Sequence, residues 1–178
     1  MNKEELLFWK NRYDEEEDLD NKDYEEELGK KFQENGFITK QDLIRVVKWK
    51  FQGRLMGRQK RILFFLKDLE ESSIEEISKY AFKIKNDEIR LRLFSSIKGV
   101  GNALSSVILT FHDPQNYGVL DIHAWRELFG KEPKDIFSNP YQAMIFFSKL
   151  REISSETDLS CRDIEKAVFK KNLEKSNF

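Results

Sequence analysis

The residue types best suited to chemistry gather between Ile89 and Gly130. Ile97-Lys98-Gly99-Val100-Gly101-Asn102 sets two glycines one residue apart between apolar helical runs. That spacing suits a tight reversal in which side chains do not block the backbone. The N–H groups of such a turn, with those opening the next helix, point outward together and suit a phosphate oxygen; Lys98 adds a mobile charge beside them. The plainer reading is an ordinary turn between two helices, with Ala103, Ser105 and Ser106 small enough to let them pack closely. Further on stands Leu120-Asp121-Ile122-His123, reached through Gly118-Val119-Leu120, a short piece that reads as extended. Asp121 suits an N-cap for a helix over 122–130. Its carboxylate equally suits stabilising a positive charge or orienting a water. His123 reads as a hydrogen-bonded histidine packed against the hairpin, and His112 as a loop residue. His112, His123 and Cys161 are too scattered for a transition-metal site, and a lone cysteine excludes an internal disulfide, a four-cysteine iron–sulfur cluster or a multi-cysteine zinc site.

The elements that must position these residues read as helices throughout. Thr39 caps a segment with Leu43, Val46, Val47 and Phe51 on one face. Gly53 and Gly57 punctuate the chain before Ile62, Leu63, Leu66 and Leu69. Ser73 with Glu76 forms a capping box ahead of Ile77, Tyr80 and Ala81. Asn86 caps a segment burying Ile89, Leu93, Phe94 and Ile97. Asn139-Pro140 opens a helix with Met144, Phe147, Leu150 and Ile153, and Ser160 with Asp163 opens a last one carrying Ile164, Ala167 and Val168. No alternating pattern of any length is present. The expected fold class is all-α, as one domain over residues 1–178 of the 178-residue chain.

Overall charge is −1, yet it divides sharply along the chain. Residues 14–27 hold ten acids and one base; residues 40–67 hold nine bases, among them Arg54, Arg58 and Arg61, against Asp42 alone. A basic field of that kind fits a polyanionic partner, or else the solvated outer face of amphipathic helices. The acidic run reads as a solvated face or a mobile arm, able to lie over the basic surface and compete with a ligand. At 39% apolar residues with 15 Phe, the chain is not a disordered one. Its start, MNKEELLFWK, lacks the apolar stretch of a secretion signal.

The stretch IKGVGNALSSVIL resembles the helix-hairpin-helix (over 86–110) of the endonuclease III-like DNA glycosylase superfamily, whose Gly-Val-Gly opens a helix. That family also carries an Asp twenty residues past the second glycine, in a motif ending D-x-H; here this is Asp121, in the 119–130 piece. The likeness covers about 40 residues. It implies a helical glycosylase-like fold and duplex DNA bound at Lys98, Gly99, Val100, Gly101 and Asn102. It further implies a monovalent cation at the carbonyls of Ile97 and Gly99, and base release with Asp121 as the catalytic carboxylate. The lysine that lyase-competent members place two residues after the second glycine is Ala103 here, so lyase activity from that position is not expected. The resemblance also directs attention to the end of the basic helix, where related enzymes place a Gln-containing turn: Gln52 as a wedge into the duplex, Trp49 or Phe51 as a stacking surface for an extruded base, His123 nearby, and Lys50 as an amine that could replace the missing one from another helix. Trp49 equally suits the core. The expectation is therefore a monofunctional DNA glycosylase of the cytoplasm or nucleoid. It would act as a monomer without cofactor, iron–sulfur cluster or membrane segment. The alternatives are a non-catalytic DNA-binding module of the same fold and a helical protein-interaction domain that uses residues 14–27.

Overall fold

The computed structural model describes residues 1–17, 19–52 and 56–176, in which the chain forms ten α-helices and no strand. In order these are α1 (Lys3–Glu16), α2 (Leu19–Asn35), α3 (Lys40–Lys50), α4 (Met56–Leu66), α5 (Glu71–Lys83), α6 (Asp87–Ser95), α7 (Asn102–His112), α8 (Ile122–Phe129), α9 (Pro140–Thr157) and α10 (Cys161–Lys175). No described helix is long and apolar enough to cross a membrane.

Most helix starts follow the capping residues that the sequence offers, because the first N–H groups of a helix have no partner within it. Thr39 accepts from the Asp42 N–H while Asp42 reaches back to the Thr39 N–H, closing a capping box at α3. Asn86, Asn139 and Ser160 cap α6, α9 and α10 through their side chains. The box expected at Ser73 does not form: α5 begins two residues earlier, at Glu71, and its N-cap Glu70 makes no side-chain capping bond. There the buried face of Ile74, Ser78, Ala81 and Phe82 sets the helix, and Ser73 falls inside it. Gly57 likewise sits in the first turn of α4 rather than in a linker, and Gly53 and Arg54 lie outside the described residues.

The core is one continuous cluster with α7 along its axis. Every residue from Asn102 to Phe111 is buried, as a helix wrapped on all sides requires. Helices α2, α3, α6 and α9 pack around it, while α10 lies against α1, α8 and α9. Of the residues expected to be buried here, Phe94 and, just past α6, Ile97 are; Leu93 is only partly buried, and Ile89 is 46% exposed while Leu91 fills the core in its place. With α6 only nine residues long, a shift of the buried stripe by half a turn moves one apolar residue out and brings another in.

Two glycines permit approaches that any side chain would block. A Cβ on Gly29 would stand 2.6 Å from the Phe111 carbonyl oxygen, where α2 meets α7. One on Gly118 would stand 2.6 Å from Leu150 Cδ1 and 2.8 Å from Glu165 Cβ. Gly29→Ala and Gly118→Ala are each expected to destabilise the fold by about 1–3 kcal/mol, read as a lowered denaturation midpoint. Gly57→Ala, where an added Cβ meets nothing within 4 Å, serves as the control.

Candidate functional site

Asp121 is the N-cap of α8, and its Oδ1 accepts the His123 N–H at 2.9 Å. The extended residues leading to it are held from both sides. Leu120 N–H donates to Ser106 Oγ of α7 at 2.9 Å, and Val119 N–H donates to Glu165 Oε2 of α10 at 3.3 Å. With one carboxylate oxygen committed to the cap, Oδ2 faces Lys50 Nζ at 3.5 Å. Lys50, the last residue of α3, also lies 3.4 Å from the Leu120 carbonyl.

Asp121 and Lys50 share a pocket of about 520 Å³ with Trp49, Gln52, Val119, Tyr13, Phe169, Arg162 and Glu165. This is within the size range of small-ligand sites. Three aromatic rings and several charged groups line it. Under its floor the Arg162 guanidinium is ion-paired to Glu165 and, at 2.8 Å, to Glu25 of α2. Burial opposes the Arg162 charge, but Glu165 and Glu25 outweigh it and hold its pKa well above the ordinary value. Burial raises the Glu165 carboxyl above the usual carboxylate range despite the pull of Arg162. At Glu25 burial acts upward too, yet the adjacent Arg162 charge prevails and its pKa falls.

Five of the described acids of the 14–27 run are ion-paired, while Glu15, Asp23 and Glu26 are exposed. Asp14 and Glu17 pair with Lys166, Glu16 with Lys170, Glu25 with Arg162 and Glu27 with Arg45. Glu16 and Glu17, at the end of α1, line the pocket. Asp18 lies outside the described residues.

A second cleft, of about 390 Å³, lies beside the glycine bend and is lined by Phe51, Arg58, Arg61, Phe65, Gly99, Gly101, Ala103 and Phe137, among others. Gly99 has φ +94°, and the Val100 N–H closes the turn on the Ile97 carbonyl at 2.9 Å. The N–H groups of Gly99, Gly101 and Ala103 find no acceptor among the described residues. Gly101 and Lys98 are exposed, and the Lys98 ammonium stands 4.8 Å over the Phe65 ring. Arg58 lies 5.7 Å from both the Phe51 and Phe137 rings. Arg58, Arg61 and Lys98 have no carboxylate partner among the described residues.

Several site residues depart from expectation. Asn102 turns inward: it is 2% exposed, its N–H bonds the Phe137 carbonyl and its side chain the Ile136 carbonyl. Val100 is buried too, which leaves Gly99, Gly101 and Lys98 as the accessible part of the bend. The Ile97 carbonyl, half of the expected cation site, accepts the turn bond. Phe51 is buried and lines the second cleft, so of the four residues 49–52 only Trp49, Lys50 and Gln52 reach the pocket. His123 packs on α10 rather than the hairpin, with Nδ1 3.0 Å from Asn172 Oδ1 and its ring edge-on to Phe169. His112 closes α7, stacked on Phe82.

Sequence reasoning missed Tyr13, Arg162, Glu165 and Phe169. The signal for three of them was present: charged residues at 162 and 165, and an aromatic at 169, recur at helical spacing on the buried side of an amphipathic helix. No family model, curated protein or solved structure matches the chain. Arg162→Met is expected to cost about 3–5 kcal/mol, because it leaves Glu165 and Glu25 buried without their counter-charge. Chemical denaturation of the variant beside the wild type measures it.

Proposed function

We propose that this chain is a DNA glycosylase of the endonuclease III-like superfamily, holding a duplex at the glycine bend and releasing a base beside Asp121. One juxtaposition carries the reading: the end of α3 lines both a pocket that holds a carboxylate among aromatic rings and a cleft where, among the described residues, the bend amides find no acceptor and the arginines no carboxylate. Neighbouring residues at the end of α3 line both cavities: Lys50 and Gln52 line one and Phe51, between them, lines the other. A strand whose phosphate sat on the Gly99 and Gly101 amides, neutralised by Lys98, Arg58 and Arg61, would run past the mouth of the pocket.

An enzyme that acts on a base must draw it out of the stack, and the rings of Trp49, Tyr13 and Phe169 provide apolar faces to receive it. As the base departs, positive charge grows on the sugar. Asp121 Oδ2, the oxygen not committed to the α8 cap, stabilises that charge and orients the attacking water. Capping holds the carboxylate in place before substrate arrives, so a single residue serves the fold and the chemistry together.

Two measurements test this. Arg58→Ala with Arg61→Ala should weaken duplex binding and lower the slope of log affinity against log salt by about 2, because each arginine neutralises one phosphate and so displaces one counterion. Asp121→Asn should bind as well as the wild type but release base about 10²–10³-fold more slowly across a panel of damaged duplexes. Binding without release by the wild type leaves the non-catalytic DNA-binding module; no binding at low salt removes both.

A further inference from the structure

Helix α4 turns only Ile62 and Leu66 fully inward, and Gln59 ties it to the end of α3 through the Lys48 and Phe51 carbonyls at 3.4 and 3.0 Å. Its outer surface carries Arg58, Lys60 and Arg61 and no acid. Arg58 and Arg61 line the second cleft, but Lys60 does not. At spacings of four and then three residues, Lys60 shares a stripe with Phe64 and with Lys67, in the turn that follows the helix. Phe64 is 61% exposed, and the Lys67 ammonium lies 5.9 Å from its ring. Phe64 also meets Phe65 edge-on, with centroids 6.2 Å apart, and Phe65 carries the Lys98 ammonium and packs beside Gly99. A run of rings and cations thus leaves the glycine bend and continues over α4, outside both cavities. Among the described residues neither Lys60 nor Lys67 has a carboxylate partner. Asp68 is exposed one residue further on, and Lys40 Nζ, held by the Lys67 and Leu69 carbonyls at 2.8 and 2.7 Å, adds a positive charge to the same turn.

We propose that this face of α4 is a second nucleic-acid contact, which takes a single-stranded segment with an unpaired base stacked on Phe64. It rests on the reading above only for the place of the duplex, whose strand continues from the glycine bend onto α4. Cations without acids select a polyanion. Bases inside a duplex turn their faces to one another, so an exposed ring gains little from paired DNA. An unpaired base offers a free π face, and stacking of this kind tolerates any base. Phosphates of the same segment meet Lys60 and Lys67, which flank the ring along the stripe. An anionic lipid surface is the poorer fit. A helix lying in a membrane surface needs a broad apolar face to insert, whereas α4 spends Ile62 and Leu66 on the core and leaves Met56 and Phe64 as its exposed large apolar residues.

Fluorescence anisotropy with the full-length protein compares a blunt duplex with the same duplex carrying an unpaired overhang at either end of one strand. One of the overhangs should tighten binding by at least about fivefold, the gain from a single stacked base. Phe64→Ala should remove that gain and leave blunt-duplex affinity within about twofold, while Phe64→Trp keeps it. Lys60→Ala with Lys67→Ala should lower the salt slope for the overhang substrate by about 1.4, the effect of two single-strand phosphate contacts. An aminopurine base in the overhang reports the stack directly: its fluorescence should fall on binding the wild type and not on binding Phe64→Ala. Thermal unfolding of each variant should match the wild type, since the altered side chains are exposed. No gain from either overhang, or an equal gain in Phe64→Ala, overturns the proposal, and the glycosylase reading stands if the blunt duplex still binds. Binding to phosphatidylserine vesicles that Phe64→Ala abolishes, without any overhang gain, overturns it in favour of a lipid surface. Phe64-dependent binding of a single-stranded oligonucleotide without affinity for the blunt duplex keeps the proposal and defeats the glycosylase reading. No binding of either nucleic acid at low salt defeats both.

Discussion

A guanidinium buried as deeply as that of Arg162 must be neutralised from more than one direction, and the structure around the pocket depends on how this is done. Glu25 reaches it from α2 and Glu165 from its own helix, while the rings of Tyr13 and Trp49 lie within 6 Å. Glu165 also accepts the Val119 N–H, two residues before Asp121. One buried charge thus ties α2, α3 and α10 to the extended segment that delivers the carboxylate. Such networks are costly to desolvate, and a well-packed apolar replacement can be as stable. Here the network also fixes the walls of a cavity, which an apolar core would fill.

Charge is distributed with a similar logic. Asp14, Glu16 and Glu17 are paired with bases of α10, whereas Arg58, Arg61 and Lys98 about the glycine bend have no acid partner among the described residues. A net charge of −1 therefore hides a surface on which positive potential is left unbalanced at one cleft. The pairing gives the chain an acidic stretch that stabilises its fold without cancelling that field. Glu16 and Glu17 line the pocket together with Trp49, Lys50 and Gln52 at the end of α3.

Local sequence signals served where the physics is local. Thr39, Asn86, Asp121, Asn139 and Ser160 cap their helices because the orphan N–H groups and the oxygen that satisfies them lie within three residues of each other. Gly99 adopts the left-handed conformation its position in the bend demands. Where longer-range packing decided, the same signals failed. Ser73 has a capping residue's chemistry but lies inside a helix begun earlier, and Ile89 has a core residue's chemistry but faces out. Asn102 has the place of a phosphate contact at a helix start, yet the 136–137 backbone comes to meet it and turns it inward.

The amino-acid sequence by itself determined the helical class, the caps at Thr39, Asn86, Asn139 and Ser160, the tight bend at Gly99 and the presence of Asp121 at the start of α8, since each follows from residues near one another in the chain. Only the tertiary structure decided that Lys50, seventy-one residues from Asp121, lies 3.5 Å from it. It likewise decided that Phe51 turns away from the pocket while its neighbours face in, and that α10 supplies the floor. These depend on how α3, α7 and α10 pack, and packing is a property of surfaces brought together from distant parts of the chain, which no short window of sequence contains.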